Sequence, residues 1–170
     1  VDEKQPVQPD TDGTAGNKEQ MIIFVIGDQE YCIPILSIKE IREYEKPTYL
    51  PHCLPYVEGA INIRGNIVTV VNLAKYLDVP AQTDNERRVV IVIESDEQTT
   101  CGLLVDGVVG ITDILLSDVQ PISVEGGAAE LSGLVTVGER VIRILQLDAV
   151  ISQLLGQEAA GTATAPTALT

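Results

Sequence analysis

His52 is the chain's single histidine, so any Ser-His-Asp or Cys-His arrangement must use it as the base. Cys53 follows it at once, and neighbouring side chains on an extended segment point apart, which suits neither proton transfer nor shared ligation. The plainer reading is a loop histidine beside a buried cysteine. Cys32, Cys53 and Cys101 are odd in number, widely spaced and free of any CxxC pattern, so neither a disulfide framework nor a zinc site is signalled. A reducing compartment is the simpler setting. Glu40, Glu43 and Glu45 lie close together, but their polar surroundings offer no apolar pocket to separate two carboxyl pKa values. Asp106 interrupts the apolar run Val105-Asp106-Gly107-Val108; a lone carboxylate there can mark a site, although an outward side chain before a bend is the plainer expectation. Neither GxGxxG nor GxxxxGK[ST] occurs, so phosphate cradling lacks its backbone device.

Arg64 differs from these candidates, because it ends a strand beside a tight turn on a mixed face. Two readings stay open: a rim ion pair with a nearby acid, or an interface anchor, a role in which arginine is enriched.

The elements that must position these residues follow from composition and pattern. Of 170 residues 45% are hydrophobic and 21% charged, which excludes a largely disordered chain. Eleven basic against 25 acidic residues leave −14, which disfavours binding to nucleic-acid phosphates. Aromatics at 4%, with no tryptophan, disfavour base-stacking platforms. The longest apolar run, residues 21–26, falls far short of the roughly 18 residues that cross a bilayer, and no secretory signal pattern opens the chain.

Residues 1–20 and 157–170 are poor in periodic apolar positions and read as a disordered leader and tail around a domain at 21–156. Within that domain, short Val-, Ile- and Leu-rich runs separated by Gly, Asp and Asn turns predict small β-barrels rather than a helical bundle. Residues 21–26 and 31–35 predict a hairpin, with Pro34 demoting the second strand to an edge. A single helical turn then leads into a strand around Leu36, Ile38 and Ile41. Gly65-Asn66 predicts a type II′ hairpin between residues 60–64 and 67–71, placing Ile61, Ile63, Val68 and Val70 on one apolar face. Asn62 and Arg64 share the opposite face with Ile67, Thr69 and Val71. Asn72 caps a short helix ended by Pro80, and 81–87 is a polar connector. Residues 101–111 predict a strand with bends at Gly107 and Gly110; a Gly138-Glu139 turn and a final helix capped by Asp148 close the domain. Two barrel subdomains at about 21–80 and 86–156 sharing one interface, with strand exchange between them allowed, is the resulting expectation.

Several of these segments are similar to those of the CheW family, the bacterial chemotaxis coupling proteins. They are Gly27-Asp28-Gln29-Glu30-Tyr31 with Ile33, Ile41-Arg42, and Gly59-Ala60-Ile61-Asn62-Ile63-Arg64-Gly65. Val105-Asp106-Gly107-Val108, Leu131-Ser132-Gly133-Leu134 and the closing strand and helix resemble it too, so the likeness spans about residues 20–156. The family pattern carries proline and aspartate where this chain has Thr69 and Asn72.

The resemblance implies a mainly β fold of two intertwined five-stranded SH3-like barrels with short helices. It implies a non-catalytic adaptor without cofactor or metal, coupling the cytoplasmic tip of methyl-accepting chemoreceptors to the regulatory domain of the histidine kinase CheA. Receptor contact would involve Ile38, Gly59, Asn62 and Arg64, and kinase contact Glu40 and Ile41. The protein would sit in the cytoplasm, held to membrane receptor arrays through protein contacts, with no membrane insertion and no nucleic acid. The competing expectation is a small acidic enzyme using Asp106 or His52.

Overall fold

The computed structural model describes residues 17–80, 87–95, 98–122 and 131–154. Along the chain run β1 (Lys18–Ile26), β2 (Gln29–Pro34), β3 (Ile38–Glu43), β4 (Val57–Ile63), β5 (Asn66–Asn72) and helix α1 (Leu73–Tyr76). They are followed by β6 (Val89–Glu94), β7 (Thr100–Val105), β8 (Gly107–Leu115), β9 (Leu131–Val137) and β10 (Arg140–Leu145), then a closing helix at 147–154. The strands form two five-membered sheets ordered β8-β1-β2-β10-β9 and β3-β6-β7-β5-β4. The mainly β, five-stranded expectation is met. The expected tail and connector segments 157–170 and 81–86, and residues 1–16 of the leader, lie outside the described residues; β1 begins at Lys18.

Each sheet borrows its central hairpin from the other half of the chain. β1–β2 inserts between β8 and β10, whereas β6–β7 inserts between β3 and β5. This explains why residues 21–26 are apolar without interruption: the strand is buried on both faces. Phe24 and Ile26 enter a central core between the sheets, with Ile91, Leu103 and Leu73. Met21 and Ile23 enter an outer cluster of the first sheet with Cys32 and Ile142. β6 behaves alike, with Ile91 and Ile93 central and Val90 and Val92 in the outer cluster of the second sheet.

Three local expectations are corrected. β2 is interior, not an edge: Pro34 is its last residue, beyond the parallel Tyr31↔Arg143 and Cys32↔Ile144 pairs, so its missing N–H interrupts no ladder there. The β4–β5 turn is Arg64-Gly65, with φ of 52° and 87°, between the paired Ile63 and Asn66. Two positive φ values mark the type I′ rather than the II′ geometry. Asp148 lies within the first turn of the closing helix rather than before it.

Candidate binding surface

β3 is an edge strand carrying the sequence Ile-Lys-Glu-Ile-Arg-Glu, and its pairing with β6 slips once at Lys39. Ile38 and Ile41 stand opposite Ile93 and Ile91, while Glu40 and Arg42 stand opposite Val92 and Val90. Directly opposed residues share a face. Ile38 therefore packs half-buried against the central core, and Ile41, at the uncovered edge, stays 43% exposed. Glu40 and Arg42 line the rim of the second sheet's outer cluster instead.

Arg64 reaches the same rim from the opposite edge of the sheet. The two-residue turn needs a left-handed conformation at both positions, and Asn62 supports it by accepting the Gly65 N–H at 2.8 Å through Oδ1. Arg64 thus projects from the turn tip, its side chain 80% exposed, and its Nη2 lies 3.1 Å from Glu40 Oε2. Arg42 Nη1 donates to Glu40 Oε1 at 2.9 Å. The Arg42 hydrogen bond and, against the opposing effect of burial, the Arg64 charge hold the Glu40 carboxyl below the usual glutamate range. Beside the pair opens a groove of about 530 Å³ lined by Lys39, Ile63, Ile67, Val92 and Thr100, with Lys39 itself paired to Glu94 at 3.3 Å. Ile67 is 80% exposed.

The structure thus brings Glu40 and Arg64 together, with Asn62 behind them as support for the turn. Ile38 and Ile41 lie on the other face of β3. Gly59 supplies no side chain: its φ is 143°, a Cβ would overlap the Thr48 carbonyl oxygen, and the next residue, Ala60, exchanges two backbone hydrogen bonds with Thr48. Arg42 was not among the candidates, although its place two residues after Glu40 on one strand puts both on one face.

A second polar group sits at the start of α1. Asn72 Oδ1 accepts the Lys75 N–H at 3.3 Å, and its Nδ2 donates to Glu58 Oε1 at 2.7 Å. Lys75 Nζ lies 3.2 Å from the same oxygen. Burial alone would raise the Glu58 carboxyl, but the Asn72 and Lys75 hydrogen bonds outweigh it and the pKa is lowered. An aspartate at position 72 could cap the helix but could not donate to Glu58.

Of the candidates for catalysis, His52 lies in a connection as expected, whereas Asp106 departs from the expectation. Asp106 is buried rather than outward: its Oδ2 accepts the Gly27 N–H at 2.6 Å, and its own N–H donates to Val25 O. His52 is exposed, with φ 61°, and Cys53 is exposed rather than buried. Burial pushes the Cys32 and Cys101 thiols up to about 12. Among the described residues no three His, Cys, Asp or Glu side chains cluster as metal ligands. None of the described helices is long and apolar enough to cross a membrane.

A family model described as the CheW-like domain matches residues 20–155. The chemotaxis protein CheW of Rhizobium meliloti is 35% identical over 140 residues, covering 81% of this chain and 89% of that protein. A probable chemotaxis protein CheW of Rhizobium etli is 33% identical over 141 residues, covering 81% and 90%. The crystal structure of the scaffolding protein TtCheW from Thermoanaerobacter tengcongensis superposes with a TM-score of 0.71 at 22% identity, covering 76% of this chain and 90% of that one.

Proposed function

Because this chain belongs to the CheW-like domain family, we propose that it is a non-catalytic adaptor coupling methyl-accepting chemoreceptors to the histidine kinase CheA. In this reading the receptor tip engages Ile38, Gly59, Asn62 and Arg64, and the kinase regulatory domain engages Glu40 and Ile41. The observation that carries it is the 3.1 Å pair between Glu40 and Arg64, one residue from each surface. A receptor helix that draws the Arg64 guanidinium toward its own acceptors alters the partner available to Glu40. Binding at one surface then changes affinity at the other, and the linkage is reciprocal. Arg64 is planar, exposed and mounted on a rigid turn, so it can donate several hydrogen bonds to a partner with little ordering. The adaptor works in the cytoplasm, on receptor arrays, through protein contacts alone.

Among the described residues the two named for the enzyme reading do not come together as a site: the Asp106 carboxylate is engaged by a backbone N–H and His52 stands in an exposed connection. Titration calorimetry with a receptor-tip fragment and with the kinase regulatory domain tests the proposal. Arg64→Ala is expected to lose about 2 kcal/mol of receptor affinity, near thirtyfold, as removal of an interface anchor does. Glu40→Arg and Ile41→Glu are expected to weaken the kinase complex while the circular dichroism spectrum is retained. Unchanged affinities in all three variants overturn the assignment.

A further inference from the structure

The β1–β2 hairpin is held by strands far from it along the chain. β1 pairs with β8 from Lys18↔Leu115 to Val25↔Gly107, and β2 pairs with β10. The next strand, β3, belongs to the other sheet, so the hairpin is tied to the rest of the described chain only through the turn Ile35–Ser37. That turn buries no side chain: Leu36 is 93% exposed, and one hydrogen bond, from the Ile38 N–H to the Ile35 carbonyl, closes it. The hairpin itself is deeply bound, with Phe24, Ile26 and Ile33 fully buried in the central core and Met21 and Cys32 in the outer cluster. Without it, β8 and β10 are two unpaired edges facing an apolar slot. The exchanged hairpin β6–β7 is joined differently, passing directly into β8 through Asp106 alone.

We propose that the slot between β8 and β10 also accepts the β1–β2 hairpin of a second copy of this chain, giving a reciprocal hairpin-swapped dimer. The occupant is a second copy because it alone carries every matching contact, from the β1–β8 register to the Gly27 N–H that meets Asp106. Monomer and swapped dimer share those contacts and differ in the path of residues 35–37, the entropy of association and the repulsion between two chains of −14. High protein concentration and high salt, which screens that repulsion, therefore favour the dimer. This inference stands apart from the adaptor reading.

The test uses Gln20 and Asp113, which are exposed cross-strand partners of β1 and β8. Two full-length chains are made, both with Cys53→Ser, one with Gln20→Cys and the other with Asp113→Cys. They are unfolded, mixed, refolded in high salt at high and low concentration, and then oxidised. Directly opposed strand residues lie within disulfide reach. A covalent dimer that joins the two chains at high concentration and fades on dilution is the expected result. A chain carrying both cysteines serves as the geometric control. If it forms its internal disulfide while the mixed chains never join, the slot takes only its own hairpin and the proposal is overturned. A wild-type dimer seen by light scattering without that interchain bond overturns it equally, since folded monomers would then be associating by their surfaces. Deleting Leu36 and Ser37 removes the turn that folds the hairpin back, so the deleted chain should be mainly dimeric; a folded, monomeric deletion variant contradicts the proposal.

Discussion

Taken from one edge to the other, the strand orders β8-β1-β2-β10-β9 and β3-β6-β7-β5-β4 correspond place for place. Each has an edge strand, an inserted antiparallel hairpin, a parallel step and a closing hairpin. Gly133 and Gly59 are each the third residue of their strand, and the residue after each bridges to an earlier segment, Leu134 to Gln120 and Ala60 to Thr48. The furnishing differs. Where the second sheet turns with Arg64-Gly65, the first turns with Gly138-Glu139. Where the edge strand β3 carries Lys39, Glu40, Arg42 and Glu43, the edge strand β8 exposes Val109 and Ile111, at 50% and 58%. One backbone plan thus serves twice, and the side chains of its turn and edge decide that one rim is charged and the other edge apolar.

The likeness of the two sheets breaks first at the paired glycines. Gly59→Ala must tolerate φ 143° and overlap with backbone, so a loss of about 3 kcal/mol or more is expected in denaturant melts. Gly133→Ala brings a Cβ to 2.6 Å from a Val119 methyl and 2.9 Å from the Gln120 backbone oxygen, a milder backbone overlap than at position 59 and without its positive φ, and about 1–3 kcal/mol is expected. Equal losses would mean that the two glycines are under one constraint and that backbone conformation adds nothing at position 59.

The two crossings between sheets should differ as well. The chain passes from β7 to β8 through buried Asp106, so Asp106→Ala leaves the Gly27 N–H without this acceptor and should cost about 1–3 kcal/mol. At roughly 2–4 °C per kcal/mol, that shift is readily seen in a thermal scan. Leu36→Ala in the exposed crossing from β2 to β3 should change stability by no more than about 0.5 kcal/mol. A Leu36 variant as damaged as the Asp106 variant would place hidden packing at that turn.

Exchanging the turn chemistries sharpens the likeness further. Position 64 has φ 52° and position 138 has φ 62°, a region that disfavours residues with a Cβ by about 1 kcal/mol. Arg64→Gly should therefore be more stable than Arg64→Ala by about that amount, and Gly138→Ala less stable than wild type by a similar amount. Identical melting curves for the two Arg64 variants would contradict the turn assignment.

The smallest effect is expected in the pH dependence of stability. Glu40 and Glu58 have lowered pKa values in the folded chain, so each contributes stability that is complete above the ordinary glutamate range, about 4.3. That contribution is lost as the pH falls through the lowered folded values. Glu40→Gln and Glu58→Gln should each flatten urea-derived stability over this acid range, whereas a steeper profile would mean that the folded state raises the carboxyl pKa.

Much of the fold is legible in alternation alone. Ile61, Ile63, Val68 and Val70 fall on one buried face although the turn lies one residue earlier than expected. The earlier turn pairs Ile63 with Asn66 instead of Val68, a slip of two that leaves every side chain on its expected face. Asn72 at the helix cap and the Gly138-Glu139 turn are equally local, settled by groups a few residues apart. Such features were readable because their determining contacts lie within one hairpin or one helical turn. Pro34 misled because its missing donor matters only where a neighbouring strand needs it, and that neighbour, β10, arrives more than a hundred residues later.

Charge count, period and local φ preference are properties of the amino-acid order, and they settle that the chain is acidic and mainly β, which faces of its strands are apolar, and, to within one residue, where its sharp turns fall. Long-range packing settles the remainder: which hairpin completes which sheet, that Asp106 is buried against Gly27, and that Glu40 meets Arg64 across the rim of the curled second sheet. An apolar strand states that both its faces must be covered, but any partner of the same period satisfies that demand. The choice among partners is made by contacts between distant segments acting together, and local pattern does not encode it.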